Sequence, residues 1–243
     1  MRNIIISAAI IISVNASAFA SYKEALTLYE AKMYNDSLNM IAAELDISKD
    51  MDENTPNYDL RFLAAHNHWK LGNIGSAIAH FKRCAEIKKD NPDPMIDLSL
   101  LMLDFKRYSD ARYFAGKALK IKDSAIPYYV LGQCSLIAGR YNNAKRNFEK
   151  AISINPEFGA SYNALGMALM RLGKFSEANT AFSAALVFLP DSAEILNNMG
   201  MSLERTGKDD KALEYFTKAI EKSPEDSSIQ KNLARLKTKT ANK

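Results

Sequence analysis

Chemistry in this 243-residue chain would have to start from three histidines, two cysteines and the Gly173-Lys174 pair. His66 and His68 are two residues apart, so on a helix they point to different sides. They cannot form the i, i+4 pair of a zinc-binding H-E-x-x-H motif. His80 stands alone in the sequence. Gly173-Lys174-Phe175 shares Gly-Lys with the end of a phosphate loop, but the upstream spacing is wrong and Phe stands where Ser or Thr would be needed. There is no Ser-His-Asp set, nucleophile elbow or Cys/His metal spacing. With no convergent constellation, the chain is expected not to be an enzyme and to use neither cofactor nor metal.

The elements that carry these residues are written by repetition. Gly132, Gly166 and Gly200 recur every 34 residues, and so do Gly139, Gly173 and Gly207. The same step holds for Ala144, Ala178 and Ala212, for Phe148, Phe182 and Phe216, for Ala151, Ala185 and Ala219, and for Pro156, Pro190 and Pro224. A mid-helix glycine costs about 1 kcal/mol relative to alanine, so the first column implies a neighbour that must come close to the backbone. The second glycine column falls where a left-handed residue ends a helix. Ala, Phe and Ala then run at i, i+4 and i+7, the buried stripe of a second helix. Each Pro stops that helix and starts the next unit.

A 34-residue helical hairpin with these columns resembles the tetratricopeptide (TPR) repeat, most clearly across Ala125–Asp226. The resemblance implies an all-α, right-handed superhelical solenoid of six hairpins with a C-terminal capping helix. It also implies a binding scaffold in which the first helix of each repeat lines the concave face.

From the start of the chain, residues 1–20 read as an export signal. Arg2 gives a short positive region, Ile4–Val14 an apolar core, and Ala18-Phe19-Ala20 a small-x-small site with cleavage after Ala20. A membrane anchor would need about 20 apolar residues, and Ser13, Asn15 and Ser17 interrupt this run too early. The expected protein starts at Ser21, is periplasmic or secreted, and has no stable membrane span after processing. Residues 21–57 are expected to hold a degenerate first repeat without a turn glycine, followed by a polar loop over Asp46–Asn57. Repeats then run over 58–91, 92–124 (irregular, with Ala115 in the Phe column), 125–158, 159–192 and 193–226. Residues 227–243 are expected to form a cap, in which Ile229, Leu233, Ala234 and Leu236 cover the last hairpin and Lys237–Lys243 fray.

Net charge is +4, with Lys and Arg read as mixed with Asp and Glu along every helix. That pattern describes the solvated face of a repeat protein, and no nucleic-acid partner is expected. Cys84 and Cys134 fall on helices separated by about three spacings of ~9 Å. Bridged α-carbons lie within roughly 7 Å, so both thiols are expected to be buried small hydrophobes rather than a disulfide.

The inward stripe implied by the resemblance reads Phe62, His66, Trp69; Ile96, Leu100, Leu103; Tyr129, Gln133, Leu136; Asn163, Met167, Met170; and Asn197, Met201, Glu204. Arg171 and Arg205 lie at its rim. The N-terminal half is aromatic and aliphatic, and Phe62 and Trp69 are open to either ligand contact or packing between repeats. The C-terminal half offers Asn163, Asn197 and Asn198, which can donate to and accept from a peptide backbone, and methionines that adapt to varied apolar partners. The Lys/Asn clamp that some chaperone-binding TPR domains use for a C-terminal carboxylate has no complete counterpart. The leading expectation is an exported adaptor that holds a protein or extended peptide, in envelope, secretion or pilus assembly. A homo-oligomerising assembly module and a transport-associated carrier of a small ligand near Trp69 are the alternatives.

Overall fold

A computed structural model describes residues 16–47 and 56–241. Among these residues there are thirteen α-helices and no strand. They are α1 (Ala16–Glu30), α2 (Tyr34–Ile47), α3 (Pro56–Lys70), α4 (Ile74–Ile87), α5 (Asp93–Asp104), α6 (Tyr108–Ile121) and α7 (Ala125–Ile137). There follow α8 (Tyr141–Ile154), α9 (Gly159–Arg171), α10 (Phe175–Phe188), α11 (Ala193–Arg205), α12 (Asp209–Lys222) and α13 (Ser227–Ala241). The chain divides into two compact units, Met1–Leu101 and Met102–Lys243.

In the first unit α1 packs on α2 and α3 on α4, with α3 also touching α1 and α2. In the second, the hairpins α7–α8, α9–α10 and α11–α12 follow one another, and each second helix packs on the next first helix. The first helices α7, α9 and α11 also touch in sequence. Helical hairpins packed in chain order are the architecture the 34-residue period predicts.

The turn glycines do what their place requires. Gly139, Gly173 and Gly207 have φ of 71°, 75° and 75°. Around Gly139 its N–H donates to Leu136 O at 3.1 Å and the Arg140 N–H to Ser135 O at 2.8 Å. That pair of bonds closes a helix through a left-handed residue. The same bonds form around Lys32 and Lys106, whose φ values are 63° and 58°. The first hairpin thus turns as the others do, without glycine, at the steric cost of a β-carbon in the left-handed region.

The mid-helix glycines face an aromatic ring. A β-carbon on Gly132, Gly166 or Gly200 would stand within 2.4, 2.5 and 2.7 Å of the rings of Phe148, Phe182 and Phe216. Each ring is fully buried and comes from the second helix of the same hairpin. The neighbour that demands the glycine is therefore a side chain rather than another backbone.

Several expectations change at the chain ends. The apolar run 4–14 lies outside the described residues. So does 48–55 of the expected polar loop, whose two flanks are helical. α13 runs to Ala241, and within it Lys239 Nζ reaches Asp209 Oδ1 at 3.0 Å. Ile229 and Leu236 are buried as a cap requires, and Asp226 Oδ1 caps the helix by accepting from Ser228 N at 2.8 Å and Ile229 N at 3.2 Å.

Two substitutions test this account. Gly166→Ala should destabilise the protein by roughly 1–3 kcal/mol through overpacking, although alanine is the better helix former. Lys106→Gly should stabilise it by about 1 kcal/mol by relieving a left-handed lysine. Chemical denaturation measures both, and an unchanged midpoint in either would contradict the corresponding contact.

Candidate functional site

In the first unit the expected stripe is an aromatic cluster. Phe62 stacks on Tyr58 with centroids 5.7 Å apart and meets Phe81 edge-on at 5.6 Å. His66 sits among Phe62 (4.9 Å), Phe81 (5.1 Å), Trp69 (5.9 Å) and Tyr29 (6.5 Å). Its Nε2 lies 3.1 Å from Asp97 Oδ2, an ion-pair distance, but the two are not aligned for a hydrogen bond. Burial, with Tyr34 and Asp97 nearby, pushes the Tyr29 hydroxyl up to about 12. Asp97, 5 % exposed, lies beside this cluster through its approach to His66.

Exposure sorts the stripe into two layers. His66 is 6 % and Ile96 4 % exposed, so both lie beneath the surface of this structure. Both were expected on the surface, and they support it instead. Phe62, Trp69 and Leu100 are half-buried and reach solvent. Trp69 also packs edge-on to Phe81 at 6.3 Å, so it is both packing and surface.

In the second unit Tyr129 touches Phe148 and Phe158, and its hydroxyl accepts from Gln133 Nε2 at 2.9 Å. The asparagines bond between repeats. Asn163 Nδ2 donates to Glu194 Oε1 at 3.0 Å, Asn198 Nδ2 donates to Asn163 Oδ1 at 3.1 Å, and Asn232 Nδ2 donates to Asn197 Oδ1 at 2.9 Å. Asn197 and Asn198 are buried. Asn163 is half-buried and each end of its amide retains capacity, since an amide offers two donors and two lone pairs.

Met167, Met170 and Met201 are partly buried against the core beneath them. Arg171 is exposed, and the Arg205 guanidinium lies 4.5 Å over the Phe175 ring. Glu204 is taken up by Arg235, whose two nitrogens reach its carboxylate at 2.5 and 2.6 Å. Those hydrogen bonds hold the Glu204 carboxyl below the usual range. Sequence reasoning missed both the amide ladder and this clamp, although the 34-residue step from Asn198 to Asn232 was there to be seen.

The remaining reactive groups are quiet. Cys84 and Cys134 are buried, and each thiol donates to a backbone carbonyl at 3.6 Å, those of Tyr58 and Tyr108. Burial raises both, Cys84 to about 12. His80 does not stand alone in space, since it stacks on His68 with centroids 5.4 Å apart. Among the described residues no three His, Cys, Asp or Glu side chains gather as metal ligands. Lys174, of the Gly-Lys pair, bonds to Glu177 at 2.8 Å in a hairpin turn.

Residues 58–91, 125–158 and 163–227 each match the tetratricopeptide repeat. The chain belongs to the TPR family. No curated protein matches it in sequence. Among solved structures, the TPR array is similar to PilW, a type IV pilus biogenesis factor, at 18 % identity with a TM-score of 0.74, covering 90 % of this chain and 100 % of PilW. It is similar to MamA at 22 % identity and a TM-score of 0.57, over 71 % of this chain and 94 % of MamA. YrrB, a TPR protein with an unusual peptide-binding site, aligns at 20 % identity and a TM-score of 0.59, over 79 % and 97 % of the two chains. These likenesses show the fold.

The histidine stack gives the first unit of this TPR protein a pH dependence. Burial, then His68 and Arg61, lower His80 to about 4 from 6.5. The unfolded chain binds a proton near 6.5 and the folded one only near 4. Stability is therefore whole above pH 6.5 and falls as the pH drops between those values. Allowing for partial exposure, the loss should be on the order of 1–2 kcal/mol. Denaturation at neutral and mildly acid pH should show His80→Gln losing less than the wild type, and equal losses would refute the assignment.

Proposed function

We propose that this TPR protein is an exported scaffold that holds a protein segment in extended form along its first helices. TPR proteins bind protein partners, and among the described residues no helix is long and apolar enough to cross a membrane. The observation that carries the reading is the division of the first-helix face into a supporting and a presenting layer. In the first unit His66 and Ile96 are buried while Phe62 and Trp69 reach solvent, and in the second Asn197 is buried while Tyr129, Asn163 and the three methionines reach solvent. A face built this way pre-organises its anchors, and little ordering is left to oppose binding.

The aromatic end supplies apolar anchors and the Asn163 end supplies register through an amide with spare capacity. The export signal read in residues 1–20 supports an envelope or extracellular site of action. The pilus role of PilW and the peptide site of YrrB belong to those proteins, and they support the reading only through the shared fold.

The test is capture of the native partner from the envelope, read by native mass spectrometry. Trp69→Ala should weaken capture by about 2 kcal/mol or more, as loss of an anchor does, while the variant keeps its helical circular dichroism. Asn163→Ala should cost about 1 kcal/mol. A melting loss with capture intact would make Trp69 core and end this reading, and recovery of only a homo-oligomer or a bound small molecule would replace it. N-terminal sequencing of the same sample should begin at Ser21, and a start at Met1 would remove the export claim.

A further inference from the structure

Charge is not mixed evenly along the helices. Between residues 105 and 150 stand ten Lys or Arg and three Asp or Glu, a net +7 in a chain whose total is +4. α7, in the middle of that stretch, carries no charged residue. The excess therefore belongs to α6, α8 and the turns that flank them, all within the second unit. Here the sequence expectation of mixed signs on every helix fails.

α6 sorts its residues by face. Ala111, Ala115 and Ala118 are fully buried, while Arg112, Lys117 and Lys120 are exposed on the other side. Tyr113 and Ile121 join them at 58 % and 36 % exposure, with the Lys117 amine 5.5 Å from the centre of the Tyr113 ring. Nothing lies within 4 Å of where a Gly116 side chain would start, so the middle of this face is open. Among the described residues, Arg112, Lys117, Lys120 and Lys122 enter no ion pair. On α8, Lys150 Nζ reaches Asp123 Oδ2 at 3.2 Å. This contact brings the end of α8 beside the segment that leaves α6, and exposed Arg146 adds to the same side.

We propose that the exposed faces of α6 and α8 dock this protein on an anionic lipid bilayer. Unpaired Lys and Arg remain strongly positive at the surface and are drawn to a negatively charged leaflet, each adding to the attraction. Tyr113 and Ile121 favour lipid over a purely acidic partner. An amphipathic ring and an apolar side chain amid lysines can enter the headgroup layer while the amines stay in water. The patch lies on second helices, so the first-helix face of the proposed scaffold stays open while the protein is docked.

The test is co-sedimentation of the protein, as recovered from cells, with vesicles of phosphatidylcholine alone or mixed with phosphatidylglycerol. Binding should be clearly tighter to the anionic vesicles and should weaken as salt is raised. Arg112→Glu, Lys117→Glu and Lys120→Glu together should remove this difference, weakening anionic binding at least about tenfold with an unchanged circular dichroism spectrum. A matched reversal at Lys211, Lys231 and Lys237, which changes net charge equally, should leave binding within about twofold if the patch rather than the total charge acts. Tyr113→Ala should weaken vesicle binding but not any binding to poly-glutamate. Equal binding to both vesicle types, equal loss in the matched reversal, or binding to poly-glutamate or duplex DNA as tight as to the anionic vesicles would each overturn the proposal.

Discussion

Everything in this protein rests on a ring set against a bare helix backbone. In each regular hairpin a phenylalanine of the second helix lies where a β-carbon of the first would otherwise be. The contact fixes how near the two helices come and at what rotation, because a flat ring fits against glycine in few ways. With hairpin geometry fixed, the next hairpin finds the same surface, and a 34-residue period in sequence becomes a period in space. The alanine columns continue that logic by keeping the stripe around each ring thin.

A face repeated in this way is a good place to build a binding surface, because equivalent side chains of successive first helices come into line. The second unit uses this alignment for its amide bonds between neighbouring first helices. Those bonds tie repeats together through polar groups that would otherwise oppose burial. The first unit uses aromatic packing for the same purpose. The two ends of the chain therefore present chemically different surfaces on the same architecture.

The period was legible in the sequence because glycine, alanine, phenylalanine and proline are each demanded by one geometry. The turns at Lys32 and Lys106 were not legible, since lysine carries no sign of a left-handed backbone. The depth of each stripe residue was not legible. Spacings of i, i+4 and i+7 name a side of a helix, while burial of His66, Ile96 and Asn197 depends on what the next repeat lays over it. The charge imbalance of residues 105–150 was visible in the sequence. It is hidden when charges are averaged over the whole chain, because acidic residues elsewhere cancel it.

The cysteines give each unit a timekeeper. Cys84 lies in the first unit and Cys134 in the second, both buried and both raised by that burial. A thiol held in its neutral form and shielded from solvent reacts with an alkylating reagent only when its hairpin opens. The two labelling rates therefore clock the opening of two neighbourhoods separately, in one sample and with no residue introduced for the purpose. Whichever part of the array opens first will be marked by its own sulfur.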